Sequence, residues 1–396
     1  MEPVEIKKGI YWVGAVDWDL RNFHGYATHS GTTYNAYLII DEKIVLVDNV
    51  KTGFFDEMLS RIRQVVDPSK IDYIVSNHTE MDHSGSILEL IKIAPNAKVV
   101  ASPQGEKALK RHFKKEMNFQ VVKTGDSIPI GKRTLKFLLM PMVHWPDSMA
   151  TYIPEEKLLL PNDAFGQHIA SASRFDDEVG WDVLFREASK YYATIVMPFG
   201  EQVKKALSDV SPFEIDMIGP SHGIIWRSYI PKIVESYVKW SANATQKKAL
   251  IVYYSMWGST EKIAYALREG LEKKGIPVTI RNLEVADVSD VLTDLLESRM
   301  VLIGSPTVNA GIFPPVSNLL SFIKGLKPKN RIGFAFGSYG WSGQAVKEIE
   351  GILKSLGWGM PIEGTNLVYV PDDDELRSAS GTGEKLGEIL KNDGGM

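Results

Sequence analysis

The chain has 396 residues, with 45 basic and 49 acidic side chains, a formal charge of -4 and no cysteine. That charge balance argues against nucleic acid or an anionic membrane as the main partner. Without cysteine there is no disulfide, thiolate zinc site, catalytic thiol or rubredoxin-type centre within the chain, so any electrons it handles travel on another cofactor.

At roughly 150 residues per domain the length predicts two or three domains. The opening MEPVEIKKGIYWVGAVDW has no apolar stretch behind a basic flank, and nowhere do about 18 apolar residues run together, so a soluble cytoplasmic protein is expected. Up to about residue 230 the chain reads as short β-branched or aromatic runs: 11–18, 34–40, 43–50, 72–77, 98–102, 119–124 and 133–140. ATYIPEEKLLLPND, from 150, is a hairpin with its turn at Glu155 and Glu156. Helical patterns fall at 53–66, 85–93, 105–116 and from Asp182 to about Ala206. Strands with helices interposed predict two sheets covered by helices.

After the small, polar SANATQKK segment the period changes, and the domain boundary is placed at 246/247. From there five near-continuous apolar strands alternate with helices, which predicts a parallel sheet buried on both faces.

Directly after DYIVSN comes His78-Thr79-Glu80-Met81-Asp82-His83. On a helix His78, Glu80 and Asp82 would not converge, whereas in an extended loop alternate residues share a face and His83 points elsewhere. Such a loop serves two metals, and it cannot saturate both. Three further ligand candidates stand where strands run out into turns: His144 in PMVHWPDS, Asp163 in LLLPND and His222 in DMIGPSHG. His29 and His112 read as surface residues, and His168 as structural.

In the second half, three loops leave the carboxyl ends of strands, where doubly wound sheets bind ligands. They are Ser255-Met256-Trp257-Gly258-Ser259-Thr260, then Ser305-Pro306-Thr307-Val308-Asn309-Ala310-Gly311, and Ser338-Tyr339-Gly340-Trp341-Ser342-Gly343. Hydroxyls and backbone N–H groups at a helix start suit a phosphate monoester. Neither a P-loop nor a G-x-G-x-x-G pattern is present.

The order H-x-E-x-D-H, HWPDS, a post-hairpin aspartate and P-S-H-G resembles the metallo-β-lactamase fold, and more narrowly the flavodiiron proteins. The three later loops resemble flavodoxin. The resemblance implies an α/β chain with an N-terminal αββα metallo-β-lactamase-like domain (1–246). A flavodoxin-like, doubly wound five-stranded parallel sheet with strand order 2-1-3-4-5 would follow (247–396), binding FMN. It also implies a di-iron centre: Asp163 bridges, His78, Glu80 and His144 complete one ion, and Asp82, His83 and His222 the other. His24 would lie over the site as a proton-delivery group, and Tyr192 would point at the metals. Glu80 stands where hydrolytic relatives carry a second imidazole, and that carboxylate favours iron or manganese over zinc.

The expected function is an oxidoreductase passing electrons from FMN to the irons, which reduce dioxygen to water, nitric oxide to nitrous oxide, or both. A separate rubredoxin or reductase, or a reduced deazaflavin, would donate. A head-to-tail homodimer, possibly a dimer of dimers, would bring one subunit's flavin beside its partner's metals. The alternatives are a di-zinc hydrolase of the metallo-β-lactamase type and a non-catalytic electron carrier.

Overall fold

A computed structural model describes residues 2–394. They fall into two compact units, 2–191 with 201–238, and 192–200 with 239–394. The strand Gln246–Tyr253 opens the second unit's sheet, and the segment 239–245 before it belongs to the same unit.

In the first unit, apolar alternation builds one seven-stranded and one five-stranded sheet. Ile10, Val45 and Val75 from the first sheet meet Phe137, Leu158 and Leu160 from the second in one buried core. On the first sheet's other face, Leu38, Leu46 and Val99 pack with Met58, Ile62, Leu90 and Leu109 from covering helices. The expected hairpin is Met149–Ile153 and Leu158–Asn162, turning through Pro154–Glu156. Leu158–Asn162 in turn pairs in parallel with Met217–Pro220. Two neighbouring strands thus end side by side, and Asp163 and His222 follow them within two residues.

The second unit is a sheet whose five parallel strands run Val278–Asn282, Gln246–Tyr253, Ser298–Val308, Ile332–Tyr339, Thr365–Val368, the 2-1-3-4-5 order. The three central strands are buried on both faces because helices cover both, whereas the edge strands Val278–Asn282 and Thr365–Val368 are largely half-buried. Among the described residues no helix is long and apolar enough to cross a membrane.

Candidate metal centre and cofactor cleft

The six-residue run after Ile71–Val75 is not extended throughout. His78 and Glu80 lie on the loop, but Met81–Ser84 is one helical turn with Glu80 at its N-cap. The reading of this run as one extended loop, in which His83 would face apart from the alternate residues, fails for this reason. On a helical turn neighbours lie about 100° apart, and here Asp82 and His83 both face inward. Their ligand atoms group with His222, all within 4.8 Å of one another.

The other half of the run joins a second group. His78, Glu80, His144 and Asp163 also bring ligand atoms within 4.8 Å. Asp163 belongs to both sets by geometry: its Oδ2 lies 3.0 Å from His144 Nε2, and its Oδ1 3.0 Å from His83 Nε2 and 3.7 Å from His222 Nε2. The other six predicted ligands therefore gather around the Asp163 carboxylate, and apart from the half-buried Glu80 and His144 all seven are buried.

Imidazole orientation is set from behind. His222 Nδ1–H donates to the Thr33 carbonyl at 2.7 Å, which turns the Nε2 lone pair toward Asp82 Oδ2 at 3.1 Å. His78 Nδ1 is held by Asp147 Oδ2 at 3.0 Å, which aims Nε2 at Glu80 and Asp163. Lone pairs facing carboxylate oxygens repel unless a cation stands between them. His83 has neither ring nitrogen in a hydrogen bond despite burial, and Asp82 Oδ1 is likewise unpartnered. The 3.0 Å approach of His83 to Asp163 lacks hydrogen-bond alignment, as expected when both point at a third centre.

Electrostatics makes the same demand. Burial opposes charge on His83, yet the Asp82 and Asp163 carboxylates outweigh it and lift the imidazole to about 9. Burial would raise Asp163, but His83 and His144 beside it hold it well below the usual carboxylate range. Three carboxylates in a dry pocket call for positive charge, and four imidazoles with three carboxylates form a donor set that fits two divalent ions of the iron or manganese kind.

His24 sits at the tip of the hairpin Asn22–Phe23 and Tyr26–Ala27. With φ of 54° at His24 and 87° at Gly25, the two-residue turn is of the left-handed kind that tight hairpins use. It sets the exposed imidazole's Nε2 3.0 Å from Glu80 Oε1. The helix Trp181–Tyr191 widens into a π-helix at Tyr192–Val196, so the apolar run after the tyrosines is helical and its facing shifts. Tyr192 packs on Trp240, with ring centroids 5.1 Å apart. Tyr191 instead lies 5.0 Å from His168 and 6.1 Å from His222. Burial first, then the charge of Asp163, pushes its hydroxyl well up. Sequence reasoning also missed Asp147, although it lies within the HWPDS stretch. His168 is buried beside His222, its Nδ1 2.9 Å from Thr32 Oγ1, and belongs to neither ligand group.

In the second unit a cleft of about 530 Å³ opens at the carboxyl ends of the strands. It is lined by Ser255, Met256, Trp257 and Ser259, by Pro306, Thr307, Val308 and Asn309, and by Ser338, Tyr339, Gly340 and Trp341. Gly258, Thr260, Ala310, Gly311, Ser342 and Gly343 shape the loops rather than the wall. Gly258 takes φ 84° at the N-cap of the helix Ser259–Lys273, and Thr260 Oγ1 is buried against Ser338 Oγ at 2.9 Å. Asn309 and Ala310 are both left-handed and form the turn of a small hairpin closed by Gly311. Tyr369 and Val370, absent from the expectation, line the cleft too; they leave the fifth strand by the same rule that located the other loops.

Among the described residues no lysine or arginine lines this cleft, so hydroxyls and the helix N-terminus are what it offers an anion. Trp257 and Trp341 stand 90% and 91% exposed at its mouth, free aromatic faces for a planar ring. The size lies within the roughly 300–1,000 Å³ of cofactor sites, and the residues fit a flavin mononucleotide.

Fold and site together define a metallo-β-lactamase-type domain with a dinuclear ligand set, joined in one chain to a flavodoxin-type domain. Residues 32–223 match the family described as ODP family beta lactamase, and residues 251–382 match flavodoxin. The chain is 48% identical over 391 residues to a nitric oxide reductase of Moorella thermoacetica, covering 97% of this chain and 98% of that protein. It superposes with TM-score 0.96 on rubredoxin oxygen:oxidoreductase from the anaerobe Desulfovibrio gigas, at 39% identity and covering 98% of each chain. The flavodiiron protein of Giardia intestinalis gives TM-score 0.96 at 36% identity, covering 99% of this chain and 97% of that one. The chain belongs to the flavodiiron proteins.

Proposed function

We propose that this chain is an oxidoreductase that takes electrons through FMN to two irons and reduces nitric oxide to nitrous oxide, dioxygen to water, or both. The observation that carries the reading is Asp163, one oxygen turned to each ligand group. When bound, a di-iron pair and FMN would supply the redox chemistry, the irons giving electrons for reduction of the gas and the flavin replacing them. The chain's own residues do the rest. His78, Glu80 and His144 would hold one ion, Asp82, His83 and His222 the other, and Asp163 both. His24 Nε2 stands at the Glu80 carboxylate, placed to deliver protons there, and the Tyr191 hydroxyl, kept protonated, is a donor from the buried side.

Rubredoxin or a reductase is the donor of this reading, with reduced deazaflavin as the second candidate. A head-to-tail homodimer would bring one subunit's flavin to its partner's irons. A strictly monomeric protein with full turnover would overturn that arrangement. The di-zinc hydrolase is not favoured, because Glu80 and the flavodoxin-type half have no part in it. Purified protein should be yellow and hold about two irons per chain. In anaerobic stopped-flow, pre-reduced protein should be reoxidised by one or both gases. Asp163→Ala should lose gas reduction and keep FMN; full activity in that variant would reject the shared carboxylate.

A further inference from the structure

Beside the ligand-bearing turns of the first unit lies a cavity of about 20 Å³ with no polar atom facing it. Val143, which precedes His144, and Ala164 and Phe165, which follow Asp163, form one side of it. Ala206 and Leu207 close it from the helix Gly200–Val210. Tyr237 contributes ring carbon only, because its hydroxyl is engaged at 2.8 Å by the Phe165 N–H. The volume exceeds the roughly 10–15 Å³ that one water needs, but water also needs two to four polar partners and finds none here. Such a space stays dry and accepts small apolar molecules. Neutral diatomic gases are apolar, and transfer from water into apolar surroundings favours them.

We propose that this cavity is a docking chamber for the substrate gas, a neutral diatomic held one residue's distance along the chain from His144 and Asp163. The inference rests on the gas-reducing reading of the metal centre and adds the route of supply. Its wall includes the residues that flank His144 and Asp163, so a molecule held there sits against the turns that carry two of the ligands.

Krypton, a noble gas close in size to dioxygen, is the probe. Crystals of the iron- and FMN-loaded protein pressurised with krypton should show it in this cavity, and Ala206→Phe should exclude it. The same variant should lower kcat/KM for the gas several-fold while kcat at saturating gas holds. Leu207→Ala, which enlarges the space, should raise krypton occupancy and leave kcat/KM undiminished; it keeps the test open if Ala206→Phe does not fold. The chamber is overturned if krypton enters neither wild type nor Leu207→Ala, or if folded Ala206→Phe excludes krypton with kcat/KM unchanged. A fully loaded wild type that binds krypton yet consumes neither gas would overturn the supply role through the metal-centre reading instead, a distinguishable result.

Discussion

Asp147 Oδ2 lies 3.0 Å from His78 Nδ1 and also accepts the Thr79 N–H at 2.8 Å and the Thr79 hydroxyl at 2.9 Å. One buried carboxylate therefore fixes both a ligand ring and the backbone that follows it. Partners of this kind are worth about 10–100-fold in metal affinity. Asp147→Ala should weaken the position held by His78, Glu80 and His144 by about that factor, while the group of Asp82, His83 and His222 and the flavin are retained. Metal content after graded chelator dialysis measures it, and equal loss from both positions would contradict the assignment.

The turn after Asp163 depends on a strained residue. Phe165 has φ 67°, a left-handed conformation that a bulky side chain adopts at a cost of about 1–3 kcal/mol. Its N–H is taken by Tyr237 Oη at 2.8 Å, and its carbonyl by Trp226 Nε1 at 2.8 Å and Gln167 Nε2 at 2.9 Å. Tyr237→Phe should orphan the buried N–H and cost about 1–3 kcal/mol. Because the same turn carries Asp163, both metal positions should bind less tightly. Denaturant unfolding of the apoprotein and chelator competition read the two effects separately.

Much of this was legible in the sequence because each ligand leaves a strand with a clear apolar run, and strand ends gather ligands by topology alone. The three cofactor loops were located by the same rule. What escaped was local chain geometry. Nothing in Met81-Asp82-His83-Ser84 announces a single helical turn, yet that turn is what lets adjacent Asp82 and His83 share a centre. Tyr191 and Tyr192 are indistinguishable as letters; a π-helical widening begins at the second, and the ring of the first lies beside His168 and His222. Asp147 acts from behind His78 across 69 positions of sequence, a separation that no local pattern encodes.

Within the second unit, the helices Ser259–Lys273 and Asp373–Asn392 approach closely enough that a Cβ at Gly270 would meet Ser380 O at 2.0 Å, and one at Gly383 would meet Leu267 O at 2.3 Å. Backbone atoms cannot yield as a side chain does. Gly383→Ala should therefore separate the helices and cost about 1–3 kcal/mol. Gly381, two positions earlier on the same helix, would meet nothing within 4 Å. Gly381→Ala should stabilise by about 0.4–1 kcal/mol through the unfolded chain's lost freedom. Opposite signs in paired thermal melts are the expected result.

The cofactor cleft carries a similar contrast. A Cβ at Gly343 would stand 2.5 Å from Asn366 Nδ2 and 3.0 Å from the Tyr339 ring. Asn366 Nδ2 donates to the Gly343 carbonyl at 2.9 Å, so the amide cannot retreat without losing that bond. Tyr339 is the freer neighbour, and it lines the cleft. Gly343→Ala should therefore displace Tyr339 and weaken FMN binding several-fold, with metal content unchanged. Gly351, on the helix Gln344–Ser355, would meet nothing within 4 Å, and Gly351→Ala should leave FMN affinity as it is. Fluorescence titration of the flavin-free proteins compares the two. Equal affinities for Gly343→Ala and wild type would mean that Tyr339 does not contact the flavin.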